Sequence, residues 1–224
     1  MFTKGVIKIT IKLYCGDATN MKEVASNSVN FIFTSPPYNV DKDYDFYQDK
    51  KPLEEYLSFL SLVWKECYRV LVDGGRIGIN VANLGRKPYI PLSDFISRQL
   101  MDTNFLLMCE IIWNKKIGDS AVAANGSIAW GSYKSPNAPV TRDSHEYILF
   151  ACKKYYKLER DGKTDLTDQD FQRGTHGIWT ISPETNRKLL AVHPAPFPMK
   201  LARQAIRLHT YINDVVLDPF MGTG

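Results

Sequence analysis

The chain has 224 residues, with 28 lysines and arginines against 24 aspartates and glutamates, and 44% of its residues are hydrophobic. Such a composition supports one substantial core, so residues 1–224 are expected to form a single domain. No apolar run approaches bilayer length, and the formal charge of +4 permits a polyanionic partner without demanding one. Cys15, Cys67, Cys109 and Cys152 form no CxxC pair and no Cys/His cluster, which disfavours zinc and predicts reduced, buried thiols.

Taken in order, MFTKGVIKITIKLYCGD lacks a signal-peptide core and cleavage site; its alternation predicts a strand, and a cytoplasmic protein is expected. Residues 29–34 (VNFIFT) predict a buried strand that runs straight into Ser35-Pro36-Pro37-Tyr38. Leu53, Leu57, Leu60, Trp64 and Leu71 recur at close to 3.6 residues, which predicts a helix with Pro52 in its first turn and Gly74-Gly75 as its stop. Strands are predicted at 76–81 (RIGINV), 105–113 (FLLMCEIIW) and 146–152 (EYILFAC). The polar region 115–172 reads as long loops around one strand, and such loops are often binding elements. Pro198 opens a helix at 199–209 (MKLARQAIRLH), followed by a strand at 214–217 (DVVL). Strands alternating with helices imply an α/β sandwich with a mainly parallel sheet, whose ligands sit at the carboxyl ends of strands. Both sharp turns, after Phe33 and after Leu217, fall at such ends.

The second turn is Asp218-Pro219-Phe220-Met221-Gly222-Thr223-Gly224. Glycines after a strand-end acid let a backbone approach a ligand closely. The phosphate-loop lysine and the full GxGxxG are missing, which disfavours nucleotide phosphate binding.

Together the two turns resemble the amino-methylating DNA methyltransferases, whose members carry a (D/N/S)PP(Y/F) catalytic motif and a DPFxGxG cofactor motif. YCGDAT, with Asp17, is similar to the family segment whose acid lies near the cofactor adenine. HPAPFP, with His193 and Phe197, is similar to the segment lining the methionine end. WGSYKSPNAPVTRDSHEYILF also has its counterpart, so the resemblance spans nearly the whole chain. Catalytic motif first and cofactor motif last is the order of the beta class, and it argues against relatives that methylate protein glutamine or ribosomal RNA. The resemblance implies a Rossmann-like, S-adenosyl-L-methionine-dependent methyltransferase sheet, circularly permuted, with helices on both faces. It also implies double-stranded DNA as partner, with 115–172 as the candidate target-recognition region. Catalytic candidates are Ser35, Pro36, Pro37 and Tyr38. Cofactor candidates are Asp17, His193, Phe197, Asp218, Phe220, Gly222 and Gly224; no metal is implied.

The chemistry accounts for those residue types. The lone pair of an exocyclic amine on cytosine or adenine is delocalised into the ring, so the amine is a poor nucleophile. Ser35 Oγ and the Pro36 carbonyl could accept its two N–H groups and turn the lone pair toward a sulfonium methyl. The prolines hold that carbonyl ready. Tyr38 would stack on a base flipped from the duplex. Ser in the first position, where adenine enzymes usually carry Asp, favours N4-cytosine over N6-adenine, although serine motifs occur in some adenine enzymes.

Plainer roles stand beside these. SPPY alone is a proline turn, Asp17 a turn acid, His193 a loop histidine, and HPAPFP an extended linker. Trp130, Tyr133 and Arg142 could touch DNA or simply pack. Lys153, Lys154, Lys157 and Arg160 could meet phosphates or form a solvated face. Relatives continue beyond the glycine turn with a helix and a strand absent from this sequence. The expectation is therefore a fragment, or a chain completed by a second one, that binds the cofactor weakly or not at all by itself. An inactive DNA-binding remnant, and a nucleotide-dependent oxidoreductase on a Rossmann sheet, are the competing classes. A companion restriction endonuclease is a further expected partner.

Overall fold

The structure is a computed structural model that describes residues 10–39, 43–44, 47–48, 51–85, 88–115, 131–141, 143–192 and 196–222. Its elements in order are β1 (Val29–Thr34), β2 (Asp43–Tyr44), β3 (Tyr47–Gln48), α1 (Leu53–Val70), β4 (Leu71–Val81), α2 (Leu92–Asp102), β5 (Phe105–Asn114), β6 (His145–Lys153), α3 (Asp168–Gly174), β7 (Ile178–Thr180), α4 (Arg187–Val192), α5 (Met199–His209) and β8 (Val216–Leu217). The main sheet runs β7-β5-β6-β4-β1-β8, and β2 pairs with β3 in a separate hairpin. The β1–β4, β1–β8 and β5–β7 pairs are parallel, whereas β6 is antiparallel to both its neighbours. Every main-sheet strand but β6 therefore points the same way, as a mainly parallel sheet requires.

Alternation along the strands splits the core in two. Ile32 of β1 faces a cluster with α1 and α2 that includes Tyr56, Leu60, Trp64 and Ile96. Its neighbours Phe31 and Phe33 face a second cluster with Trp113, Phe150, Trp179 and Leu201 of α5. Helices thus cover both faces. α1 forms because Tyr56, Leu60, Val63, Trp64, Cys67 and Val70 recur on one side, with Glu54 and Glu55 at its positive end and Arg69 at its negative end. Each of those buried side chains contributes about 1.5–3 kcal/mol relative to exposure.

Several expectations change. α1 stops at Val70 and β4 starts at once, so Gly74 and Gly75 lie inside the strand rather than ending the helix. They form a bulge: Val29 pairs with Leu71 but Phe31 with Arg76. Gly74 has φ +75, and a Cβ on Gly75 would meet Val72 O at 2.8 Å. The strand expected at 214–217 is only Val216–Leu217. Residues 10–14, expected as a strand, have no sheet pairing; residues 1–9 lie outside the described residues. α2, β7 and α4 are additions to the expected elements, and α3 begins inside the region read as loops. All four cysteines are free thiols; Cys67 and Cys152 are buried, but Cys15 and Cys109 are exposed, against expectation. No helix among the described residues is long and apolar enough to cross a membrane.

Candidate active site

β1 and β8 are adjacent and parallel, with Ile32 beside Leu217, so the turns that follow them leave the same end of the sheet. A direct bond joins them: Thr34 Oγ1 donates to Asp218 Oδ1 at 2.5 Å. The same carboxylate oxygen accepts the Phe220 N–H at 2.9 Å, which shapes the second turn. Burial raises the Asp218 carboxyl above the usual range, and the two hydrogen bonds only partly offset this. Among the described residues no cation pairs with it.

The first turn is braced from below. Pro36 is buried, while Ser35, Pro37 and Tyr38 are half-buried. Tyr56 of α1 donates its hydroxyl proton to the Pro37 carbonyl at 2.7 Å. Asn39 takes a left-handed backbone (φ 58). Its side chain clasps Lys51, accepting from Lys51 N at 2.6 Å and donating to Lys51 O at 2.7 Å.

Tyr38 is the centre of a polar network. Its hydroxyl lies 3.0 Å from Ser35 Oγ and 3.0 Å from Glu146 Oε2, and accepts from Asn80 Nδ2 at 2.9 Å. Asn80 Nδ2 also reaches Glu146 Oε2 at 2.5 Å, and Lys115 Nζ bonds Glu146 Oε1. Lys115 in turn stands 4.9 Å from the Trp113 ring centre. Paired with an ammonium, Glu146 is a carboxylate and only accepts, so the single Tyr38 proton points to it. Ser35 must then donate to the Tyr38 oxygen, which leaves its lone pairs free. Burial, and next the Glu146 charge, hold the phenol well above its ordinary pKa, so it stays a donor. Asn80 Oδ1 is buried and has no partner among the described residues.

Along the sheet edge, Asp218 follows β8, Ser35 follows β1, Asn80 lies at the end of β4, Glu146 begins the reversed β6 and Lys115 follows β5. Five neighbouring strands thus deliver polar groups to one edge. Thr34, Asn80, Lys115 and Glu146 complete this candidate site and were not among the residues singled out from the sequence. The available signal was a polar residue inside an apolar strand, as in RIGINV and EYILFAC.

The cofactor candidates divide. Phe197 is half-buried and meets Phe33 edge-on at 5.5 Å, within the α5 cluster. Phe220 is half-buried and packs with Phe59 at 6.1 Å, within the α1 cluster. The two rings stand on opposite faces of the sheet, one on each side of the β1/β8 end. Gly222 has φ +60, a left-handed turn suited to glycine. Asp17 is exposed and its carboxylate accepts Thr19 N at 2.8 Å, the arrangement of an ordinary turn acid. Among the described residues no hydrogen bond links it to the Asp218 turn. His193 and Gly224 lie outside the described residues, as do Trp130 and Arg142. A half-buried carboxylate that no cation pairs with among the described residues, two residues ahead of the Phe220 ring in the same turn, fits a ligand carrying positive charge and apolar surface, as S-adenosyl-L-methionine does. Asp218, Phe197, Phe220 and Gly222 could hold it. Of the basic run, Lys153 is buried on Asn27 and the Leu71 carbonyl, Lys154 pairs with Asp73, and Arg160 pairs with Asp214. These three are structural in place.

Comparison with known proteins agrees with this geometry. Residues 29–224 match the model of the DNA methylase (N6/N4 methyltransferase) family. The type II methyltransferase M.MjaVI of Methanocaldococcus jannaschii is 31% identical over 76% of this chain and 86% of its own length. M.BglII of Bacillus subtilis is 30% identical over 95% of this chain, which spans 60% of that protein. TTHA0409 of Thermus thermophilus superposes with a TM-score of 0.69 at 30% identity, covering 93% of this chain and 79% of that one. It has also been solved in complex with S-adenosyl-L-methionine. Motif order, a sheet with polar groups gathered at one edge, and family match lead to one conclusion: the chain belongs to the N6/N4 DNA methylase family, whose cofactor is S-adenosyl-L-methionine.

Proposed function

We propose that the chain is the catalytic part of a site-specific DNA methyltransferase that modifies the N4 amine of a cytosine flipped out of duplex DNA. The observation that carries this reading is the Thr34–Asp218 hydrogen bond, which joins the amine-binding turn to the cofactor turn. Bound S-adenosyl-L-methionine would supply an electrophilic methyl group. Everything else falls to the chain's own side chains. Ser35 Oγ, its proton committed to Tyr38, accepts one amine N–H, and the Pro36 carbonyl accepts the other. The nitrogen lone pair is thereby directed away from both acceptors. Once methylated, the nitrogen must lose a proton. That proton passes to Ser35 Oγ as the Ser35 proton moves to Tyr38 and the Tyr38 proton to Glu146, along hydrogen bonds that already point this way. With its hydroxyl held at the edge of the sheet, Tyr38 offers its ring to the base.

Serine at the first motif position is what favours cytosine over adenine. The segment 115–172 is the proposed source of sequence recognition, and an endonuclease cutting the same site is the proposed companion. Transfer of a tritiated methyl group to duplex DNA, followed by nucleoside analysis, tests the reading. N4-methylcytosine is expected; N6-methyladenine as the sole product ends the cytosine assignment but leaves the amine chemistry standing.

A further inference from the structure

A cleft of about 450 Å³ lies between α3, β7 and α5, outside the site described above. Its floor is apolar: Trp179 and Ile181 are buried, with Trp179 fixed by its indole N–H on the Gly174 carbonyl at 3.1 Å. Its rim is cationic. Lys200, Arg203 and Arg207 follow at three- and four-residue spacing along one side of α5, whose other side buries Leu201, Ala205 and His209. Arg173 of α3 lines the same cleft. Arg207 is already engaged, 3.0 Å from Asp165 and 2.8 Å from Asp170, and these bonds tie the α3 region to α5. Among the described residues, Asp170 is the carboxylate that lines the cleft, and it is taken by Arg207. Arg173, Lys200 and Arg203 are exposed and have no carboxylate partner among the described residues. A solvated helix face explains one such cation. It does not explain three gathered around an apolar floor.

The position of the cleft is informative. α5 runs back toward the start of the parallel strand β8, so its first turn, with Lys200, lies at the carboxyl end of the sheet. Thr180 ends β7 at that same end, because β7 is parallel to β5. From β7 to β1 there are four strand steps, roughly 19 Å at about 4.8 Å each. That is comparable to the reach of a DNA duplex lying along this edge with its target base at Ser35.

Resting on the functional reading above, we propose that this cleft seats the sugar–phosphate backbone of the substrate duplex. Arg173, Lys200 and Arg203 neutralise phosphates, while Ile178, which lines the cleft and is 58% exposed, packs against the deoxyribose. These interactions position the duplex and read no bases.

The test is fluorescence anisotropy of a labelled duplex with the 224-residue chain, titrated between about 50 and 200 mM salt. The triple variant Arg173→Gln/Lys200→Gln/Arg203→Gln is compared with a charge-matched control, Lys22→Gln/Lys65→Gln/Arg98→Gln. Circular dichroism melts establish that both remain folded, and single variants of the same residues replace a triple that melts early. The cleft variant should bind at least about tenfold more weakly, and its slope of log affinity against log salt should fall by roughly 0.9 for each phosphate that is no longer neutralised. A slope equal to that of the control overturns the inference while leaving the methyltransferase reading intact. If the unmodified chain binds no duplex at all, the functional reading itself fails, and the inference fails with it.

Discussion

The Ser35 turn leaves β1, a strand paired with β4 on one side and β8 on the other, and it is tied to α1, β4 and β6 by Tyr56, Asn80 and Glu146. The Asp218 turn leaves β8, a two-residue strand at the edge of the sheet, where Val215 is 51% exposed. Among the described residues, the side-chain hydrogen bond that ties it to the Ser35 side of the site is the one from Thr34. The proposed amine-binding turn is thus braced by side chains from three elements, whereas the proposed cofactor turn has fewer such ties among the described residues. Preorganisation belongs where charge and geometry must be right at the moment of transfer. A turn that receives a large ligand can gain its rigidity from that ligand.

The largest expected effect tests the firm side. Glu146→Ala leaves Lys115 as an uncompensated charge, both side chains being only 10% exposed. Denaturant unfolding should show a loss of about 3–5 kcal/mol. A loss under about 1 kcal/mol would mean the network is ornamental to the fold. Next, Ser35→Ala should lower turnover by about 10²–10³-fold while duplex affinity changes little; equal losses in both would move the amine-binding role elsewhere.

A third handle acts through the core beneath β1. His209 lies 4.3 Å from the Phe150 ring and 5.4 Å from Phe31, and its pKa is lowered to about 3, by burial first and then by Arg76. The folded ring binds its proton less readily than the unfolded one at 6.5, so this contribution is fully present above pH 6.5 and fades as the pH falls toward 3. The slope should be about 1.4 kcal/mol per pH unit below about pH 6. His209→Gln should flatten that limb, and an unchanged limb would remove the ring as its source. On the loose side, Thr34→Val deprives Asp218 of a donor and should cost about 1–3 kcal/mol, with a larger proportional loss of cofactor affinity than of DNA affinity. Smallest of all, Val216→Thr at the open edge should change stability by under about 0.5 kcal/mol. A greater loss would show that β8 is anchored as firmly as β1.

Much of this difference lies beyond what linear reading can reach. Both turns, the strands that deliver them and the helices at Leu53–Val70 and Met199–His209 were legible, because a proline pair, a glycine pair and a 3.6-residue stripe are local signals. The brace was not. Tyr38, Asn80, Lys115 and Glu146 belong to four strands or strand ends, and only sheet order brings them together. α2 escapes a linear reading since its buried positions, Leu92, Ser93, Ile96 and Leu100, include a serine and make a thin stripe. Gly74 and Gly75 mislead because glycine stops helices and also bulges strands, and nothing nearby distinguishes the two. The role given to Asp17 came through family likeness, and its geometry is that of a turn residue.

The clasp between Asn39 and Lys51 has a consequence for how such an enzyme can change. By pinning both ends of the segment between them, it insulates the proline corner from whatever that segment becomes. Closure entropy grows only slowly with loop length. Evolution could therefore lengthen, shorten or replace this stretch while the proline corner beside it is inherited unaltered.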